Sequence, residues 1–335
     1  MFVLGIETSC DETSAAVVRD GRHVLSNVIL SQTIHERYGG VVPEIASRAH
    51  LKTIVPIFNQ ALAEAHIGVD DLGLVAATMG PGLVGPLLVG LTFAKGLCFA
   101  KDIPFVPVNH LEGHIAANML QYPKLRTHHL TLIVSGGHTM LVEVRQFGDY
   151  NVLGQTKDDA AGEAFDKVAK LMGLGYPGGA EIDRLARSGN ASYYKFPRAV
   201  MKEQGYRFSF SGLKTAVALF LAKLTKEEFE ARKADIAASF QEAVIDVLVE
   251  KTIRAAVEKN IAHVTISGGV AANSRLRAVL GERLETLGRR LFFPSAELCT
   301  DNAAMIAAAG YFRYQQDGAS DFVANAVPYL KLVST

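Results

Sequence analysis

Apolar positions along this chain alternate between two spacings. Short apolar runs read as buried strands, and stretches with apolar residues three or four apart read as helices. Residues 2–30 read as strand, turn, strand, with Ala15 to Val18 and Val24 to Leu30 joined by Arg19-Asp20-Gly21. Residues 43–65 have helical spacing, with Ile45, Ala49, Ile54, Ile57, Phe58 and Leu62 on one side. A strand follows at 74–79, then a small-residue helix to about residue 100 and a strand at 104–108. The pattern restarts at Leu130 with strand, Gly-Gly turn and strand (140–144), and a helix at 163–172. A glycine-rich stretch, 173–212, precedes a long amphipathic helix at 235–259. A strand (264–267), a helix (273–287), a short strand (291–293) and a small-residue helix (302–312) complete the reading.

This alternation predicts an α/β protein with mainly parallel sheets covered on both faces. The restart divides it into an N-terminal α/β domain, 1–125, completed by a C-terminal helix within 302–330, and a second α/β domain, 126–301. Residues 121–129, with Pro123 and polar neighbours, have the composition of a linker. The two halves echo one another as a duplicated unit does.

Three apolar runs stop in small or glycine-rich residues: Val3-Leu4-Gly5-Ile6-Glu7-Thr8-Ser9, Leu132-Ile133-Val134-Ser135-Gly136-Gly137-His138 and Val264-Thr265-Ile266-Ser267-Gly268-Gly269-Val270. A strand ending in glycines brings bare N–H groups to its tip, a surface suited to phosphate. Any one glycine pair is as well explained by a tight turn. Related turns in both halves point to a nucleotide held by a two-part α/β protein.

Composition narrows the class. The chain has 335 residues, 49% of them apolar, and a formal net charge of zero. It is long enough for two cores, and no global field draws in nucleic acid, so such contact needs a local patch. Cys10, Cys98 and Cys299 are few and scattered, as in a reducing cytoplasm. Residues 1–6 lack the basic flank and length of an export signal, and residues 83–99 are broken by Gly85, Pro86, Gly90, Lys95 and Gly96. The expectation is a cytoplasmic protein with no membrane partner.

The candidate chemistry centres on His110-Leu111-Glu112-Gly113-His114. Histidines four apart share a helical face and either converge on one metal ion or cap and decorate the helix surface. Asp301 lies between a strand and a helix, and two His with one carboxylate leave coordination positions open. A zinc protease needs Glu directly after the first His; Leu111 stands there, and the helical turn aims Glu112 elsewhere. Asp11 and Glu12, after the first strand, are magnesium ligands, proton-transfer groups or cap residues. Asp166 and Asp183 flank Gly173, Gly175, Gly178 and Gly179, and either accept from ribose hydroxyls or lie on solvated helix faces. His138 follows the central glycine pair, and Asn273 both suits a helix cap and lies within reach of a ligand. Between residues 187 and 214, Arg187, Lys195, Arg198, Lys202, Arg207 and Lys214 interleave with Tyr193, Tyr194, Phe196, Tyr206, Phe208 and Phe210. That mixture is a nucleic-acid surface or a basic rim around partly buried aromatics.

Taken in order, several segments resemble the universal threonylcarbamoyladenosine (TsaD) family: Gly5 to Thr13, Gly39 to Glu44, Gly80-Pro81-Gly82, His110 to His114, Ser135 to Thr139, Gly162 to Lys167, Phe208 to Lys214, Gly268 to Asn273 and Thr300-Asp301-Asn302. The resemblance spans nearly the whole chain, and its length is that of the bacterial members. It implies the actin, Hsp70 and sugar-kinase (ribonuclease H-like) fold, with a nucleotide in an interdomain cleft. It implies transfer of threonylcarbamoyl from threonylcarbamoyl-AMP to N6 of adenosine 37 in tRNAs reading ANN codons, releasing AMP. By similarity His110, His114 and Asp301 hold one divalent metal, Fe(2+) or Zn(2+). Ile133, Val134, Ser135, Gly136, Gly137, Asp166, Gly179, Asp183 and Asn273 bind the adenylate. The implied partners are tRNA, an inactive paralogous (TsaB-type) subunit, a P-loop ATPase (TsaE-type) subunit and an upstream adenylate-forming (TsaC-type) enzyme. Asp11 or Glu12 is the expected catalytic group, orienting the adenosine amine or taking its proton. A sugar-kinase-like phosphotransferase shares the expected cleft but needs no such metal triad. A metalloprotease, the family's older label, is disfavoured by the place of Glu112.

Overall fold

The structure, a computed structural model, describes residues 1–125, 128–201 and 203–332, with the side chain of Glu36 left aside. Arg126 and Thr127 of the expected linker and Lys202 of the basic stretch lie outside the described residues. The chain forms two compact units: Met1–Thr127 with Gln146–Tyr150 and Pro294–Thr335, and His128–Arg145 with Asn151–Phe293.

In chain order the first unit holds β1 (Phe2–Glu7), β2 (Glu12–Arg19), β3 (His23–Ser31), α1 (Pro43–Glu64), β4 (Leu72–Gly80), α2 (Val84–Lys101), β5 (Phe105–Asn109) and α3 (His110–Gln121). Next come β6 (His129–Val134), β7 (Thr139–Gln146), β8 (Asp149–Gln155), α4 (Ala161–Leu171), α5 (Gly178–Ala186), α6 (Ser211–Leu221), α7 (Lys226–Glu258), β9 (His263–Ser267), α8 (Ser274–Thr286) and β10 (Arg290–Phe292). The first unit is completed by α9 (Ala296–Cys299) and α10 (Ala303–Asp317).

The first sheet has the order β3-β2-β1-β4-β5 and the second β10-β9-β6-β7-β8. Counted from its own first strand, each sheet runs 3-2-1-4-5. In each, the first strand pairs antiparallel with the second and parallel with the fourth. The duplicated pattern legible in the sequence is thus a duplicated topology, of the ribonuclease H-like kind.

In the first unit β1 is buried almost throughout because it lies mid-sheet with helices over both faces. Gly5 lies inside β1 and not at its tip, which corrects its reading as part of a phosphate turn. A Cβ there would stand 2.1 Å from the Ala303 carbonyl oxygen, so α10 packs its backbone directly on the strand. Gly310 meets Ala76 of β4 and Gly113 of α3 meets Ile306 and Met305 in the same way. The small-residue run Ala303 to Gly310 is accordingly buried throughout. On α2, Pro86, Leu87, Gly90, Leu91, Ala94 and Cys98 are buried, whereas Val84, Leu88 and Phe99 are exposed. It is long and apolar enough to cross a membrane, yet it packs one face against β4 and α1 as a domain helix does.

In the second unit α7 begins at a Thr225–Glu228 capping box and buries Phe240, Val244 and Leu248, with Phe240 edge-on to Phe165 of α4. The glycine-rich stretch contains α5 and runs into the start of α6, neither of which was read from the sequence pattern. Phe196, Phe208 and Phe210 are core residues there.

Candidate metal centre

β5 ends at Asn109, whose side-chain oxygen accepts from Leu111 N at 2.9 Å and starts α3 immediately. His110 is therefore the first helical residue, and His114, one turn on, lies above it with ring centroids 4.7 Å apart. Asp301 comes from the turn between α9 and α10. That turn is held by Asn302, which caps α10 through Met305 N (3.0 Å), and by Ala303 N donating to Ser14 Oγ (2.9 Å).

These three side chains meet. One ligand atom from each lies within 4.8 Å of the others, and His110 Nε2 and His114 Nε2 are each 3.4 Å from Asp301 Oδ1. Donors about 2.1 Å from one ion in tetrahedral array stand about 3.4 Å apart, so the spacing fits a shared first-row cation. Both histidines are buried, whereas the Asp301 side chain is 22% exposed, which leaves one side of the centre accessible. Among the described residues, His114 Nδ1 and Nε2 are buried without a hydrogen-bond partner. Orphaned imidazole nitrogens beside a carboxylate are what a cation would satisfy.

Electrostatics point the same way. Burial opposes charge on His110, but the Asp301 and Glu7 carboxylates raise its pKa well above the usual imidazole range. Burial keeps His114 below that range. Asp301 is held well below the usual carboxylate range because, against its burial, it faces both imidazoles. Where His110 holds a proton between the Asp301 and Glu7 carboxylates, a divalent cation would displace that proton and offset the same negative charge.

Glu7 was not singled out from the sequence, where it reads as the last residue of a strand. It is wholly buried and approaches His110 Nδ1 at 2.9 Å through Oε2. The only sequence signal was a carboxylate closing an otherwise apolar strand. Glu112 forms a two-point ion pair with Arg313 of α10 (Nε to Oε2, 3.0 Å). Its carboxylate is thereby committed to a guanidinium, which bears out the expectation that it does not serve a metal-bound water.

Asp11 is buried in the turn after β1, and Glu12, half-buried, opens β2. Burial first, then the Asp11 and Asp301 carboxylates, raises the Glu12 carboxyl well above its usual range. The turn is anchored by His50 of α1, which bonds Thr13 Oγ1 at 2.8 Å and the Cys10 carbonyl at 2.9 Å.

The other sequence candidates belong to the second unit. Ile133, Val134 and Ser135 close β6 and begin its turn; Gly136 and Gly137 are exposed, with open space where a Cβ would lie. Asp166 Oδ1 accepts from Gly178 N at 2.8 Å, at the start of the α5 segment that includes Gly179. Asp183 accepts from Ser274 Oγ (2.8 Å) and Arg187 (3.1 Å). Asn273 caps α8 through Leu276 N and donates to Gln241 at 2.7 Å. In the basic stretch Arg187 pairs with Asp183 and Arg198 with Asp246, and Lys195 and Arg207 are exposed.

Residues 23–308 match the family described as TsaD, tRNA N6-adenosine threonylcarbamoyltransferase. A protein of that name from Caldicellulosiruptor saccharolyticus is 55% identical over 335 residues, covering 100% of this chain and 99% of its own. One from Clostridium botulinum (strain Kyoto / Type A2) is 52% identical over 331 residues, covering 98% and 97%. Among solved structures, T. kodakarensis HypF gives a TM-score of 0.64 and 15% identity, covering 95% of this chain and 48% of that one. The Acidaminococcus fermentans (R)-2-hydroxyglutaryl-CoA dehydratase component A gives 0.57 and 14%, covering 94% and 98%. At such identity these two speak for the fold alone.

Proposed function

The chain belongs to the tRNA N6-adenosine threonylcarbamoyltransferase family and is a transferase, and on that premise we propose how its residues divide the reaction. The observation that carries the reading is the convergence of His110, His114 and Asp301 on one point. These residues would hold a divalent cation, Fe(2+) by the resemblance, with Zn(2+) the alternative. When bound there, the cation supplies Lewis-acid polarisation of the threonylcarbamoyl carbonyl.

The acceptor is N6 of the adenosine next to the anticodon, position 37 of tRNAs reading ANN codons, and the donor is threonylcarbamoyl-AMP. The amine nitrogen forms a bond to the carbamoyl carbon, the bond from that carbon to the adenylate phosphate oxygen breaks, and AMP leaves. The amine proton passes to a carboxylate of the turn after β1. Glu12 suits that step because burial and the neighbouring carboxylates raise its proton affinity, and Asp11 orients the amine. An exocyclic amine is a poor nucleophile, so placement supplies much of the rate.

The adenylate is assigned to Ile133 to Gly137, Asp166, Gly179, Asp183 and Asn273. The open surface over Gly136 and Gly137 supports a close backbone approach by phosphate. Asp166 and Asp183 already accept hydrogen bonds, yet a carboxylate has about four acceptor sites and so retains capacity for ribose hydroxyls. An inactive paralogue, a P-loop ATPase and an adenylate-forming enzyme are the proposed partners, and the cytoplasm the proposed setting. Metal analysis joined to transfer of labelled threonylcarbamoyl onto unmodified tRNA tests the whole reading. Full transfer by protein stripped of metal would overturn the Lewis-acid part.

A further inference from the structure

We propose that Glu7 is a positioning residue: it holds His110 in the tautomer protonated on Nδ1 and so presents the Nε2 lone pair to the cation shared with His114 and Asp301. The inference rests on the metal-centre reading above and adds to it a residue outside the ligand set.

Three observations carry it. Glu7 is wholly buried at the end of β1, and among the described residues its recorded ion-pair partner is His110. A buried carboxylate is costly unless its oxygens are satisfied. Here Oε1 accepts from Ser9 N at 2.5 Å, and Oε2 accepts from Thr78 Oγ1 at 2.7 Å and faces His110 Nδ1 at 2.9 Å. An ionised carboxylate only accepts, so Nδ1 must be the donor and the neutral ring carries its lone pair on Nε2. Nε2 is the atom that lies 3.4 Å from Asp301 Oδ1. His114 differs, since among the described residues its Nδ1 has no hydrogen-bond partner, so Glu7 sets the tautomer of His110 and no such contact sets that of His114.

The same contacts say what an amide would do. In Glu7→Gln, placing the amide oxygen toward His110 would turn the NH2 group against Ser9 N–H, donor against donor. The opposite placement satisfies Ser9 but aims the NH2 at Nδ1, forcing the proton onto Nε2 and closing the ligand position. Either way a near-isosteric change spoils the centre.

The test is zinc and cobalt titration of the full chain against a competing chelator, for wild type, Glu7→Gln and His110→Ala. Glu7→Gln should weaken metal binding about 10- to 100-fold, and His110→Ala should lose it. A loss below about fivefold in Glu7→Gln, with binding abolished in His110→Ala, overturns the role of Glu7 and leaves the metal centre standing. Wild-type binding by His110→Ala overturns both. Should Glu7→Gln fail to fold, imidazole nitrogen NMR of the zinc-loaded wild type decides the matter. A proton on His110 Nδ1 with Nε2 bound to zinc supports the proposal, and the reverse assignment overturns it.

Discussion

The His50 ring donates through Nε2 to the carbonyl of Cys10 at 2.9 Å, so a residue of α1 holds the turn that carries Asp11 and Glu12. Its Nδ1 then accepts from Thr13 Oγ1, and the ring is wholly buried. Replacing it with Ala strands the Cys10 carbonyl, while Thr13 Oγ1 keeps Thr53 Oγ1 at 2.9 Å, at a cost of about 1–3 kcal/mol for one buried unsatisfied group. Urea unfolding of His50→Ala checks the figure, and an unchanged midpoint would show that the turn holds itself.

The same ring predicts a pH dependence. Burial depresses the His50 pKa below its ordinary 6.5. Unfolding restores that ordinary value, so below about 6.5 the unfolded chain binds more protons than the native one and stability falls. The contribution is complete above that pH and is lost as pH drops through the native pKa. Urea midpoints measured from pH 7.5 downward should fall more steeply for wild type than for His50→Gln; parallel profiles would rule out the contribution.

Asp301→Ala and His114→Ala should each lose bound metal and transfer while adenylate affinity stays near that of wild type. The three proposed cation donors come from the first unit, and the proposed adenylate residues from the second. Equilibrium dialysis with labelled adenylate, run beside metal analysis, is the measurement. A parallel loss of adenylate binding would mean that the triad grips the donor itself.

Glu12→Ala and Asp11→Ala should lower single-turnover transfer by about 10²- to 10⁴-fold, the range of general acid–base groups, with adenylate affinity retained. Rapid-quench assay of preloaded enzyme reads the chemical step directly. If affinity falls as far as rate, these carboxylates anchor and do not catalyse.

Two glycines make a contrasting pair. Gly5→Ala drives a Cβ into the Ala303 carbonyl and should destabilise the protein by about 1–3 kcal/mol or more. Gly136→Ala meets no atom within 4 Å, so its stability should remain within about 0.5 kcal/mol while adenylate binding weakens. Unfolding curves and adenylate titration on both variants separate packing from ligand approach, and unaltered binding by Gly136→Ala would remove the phosphate role of that turn.

By itself the sequence determined most of the element order, the doubled α/β pattern and the shared helical face of two candidate metal donors. Those signals are local: strand and helix periods repeat within a few residues, and His110 and His114 share a face because they are one turn apart. It also offered Asp301, from its place between a strand and a helix, and carried the family resemblance. Tertiary structure decided the rest. Glu7 reads as a strand terminus until β1, β4 and α3 bring its carboxylate under His110. His50 reads as one polar residue in an amphipathic helix until α1 meets the turn before β2. Gly5 reads as part of a turn until α10 lies on it, and the aromatics at 196, 208 and 210 suit either a binding surface or a partly buried cluster until they are seen in a core. Each of these depends on which distant segments pack together, and packing partners are fixed by sheet order and helix contact, quantities with no short-range period to betray them.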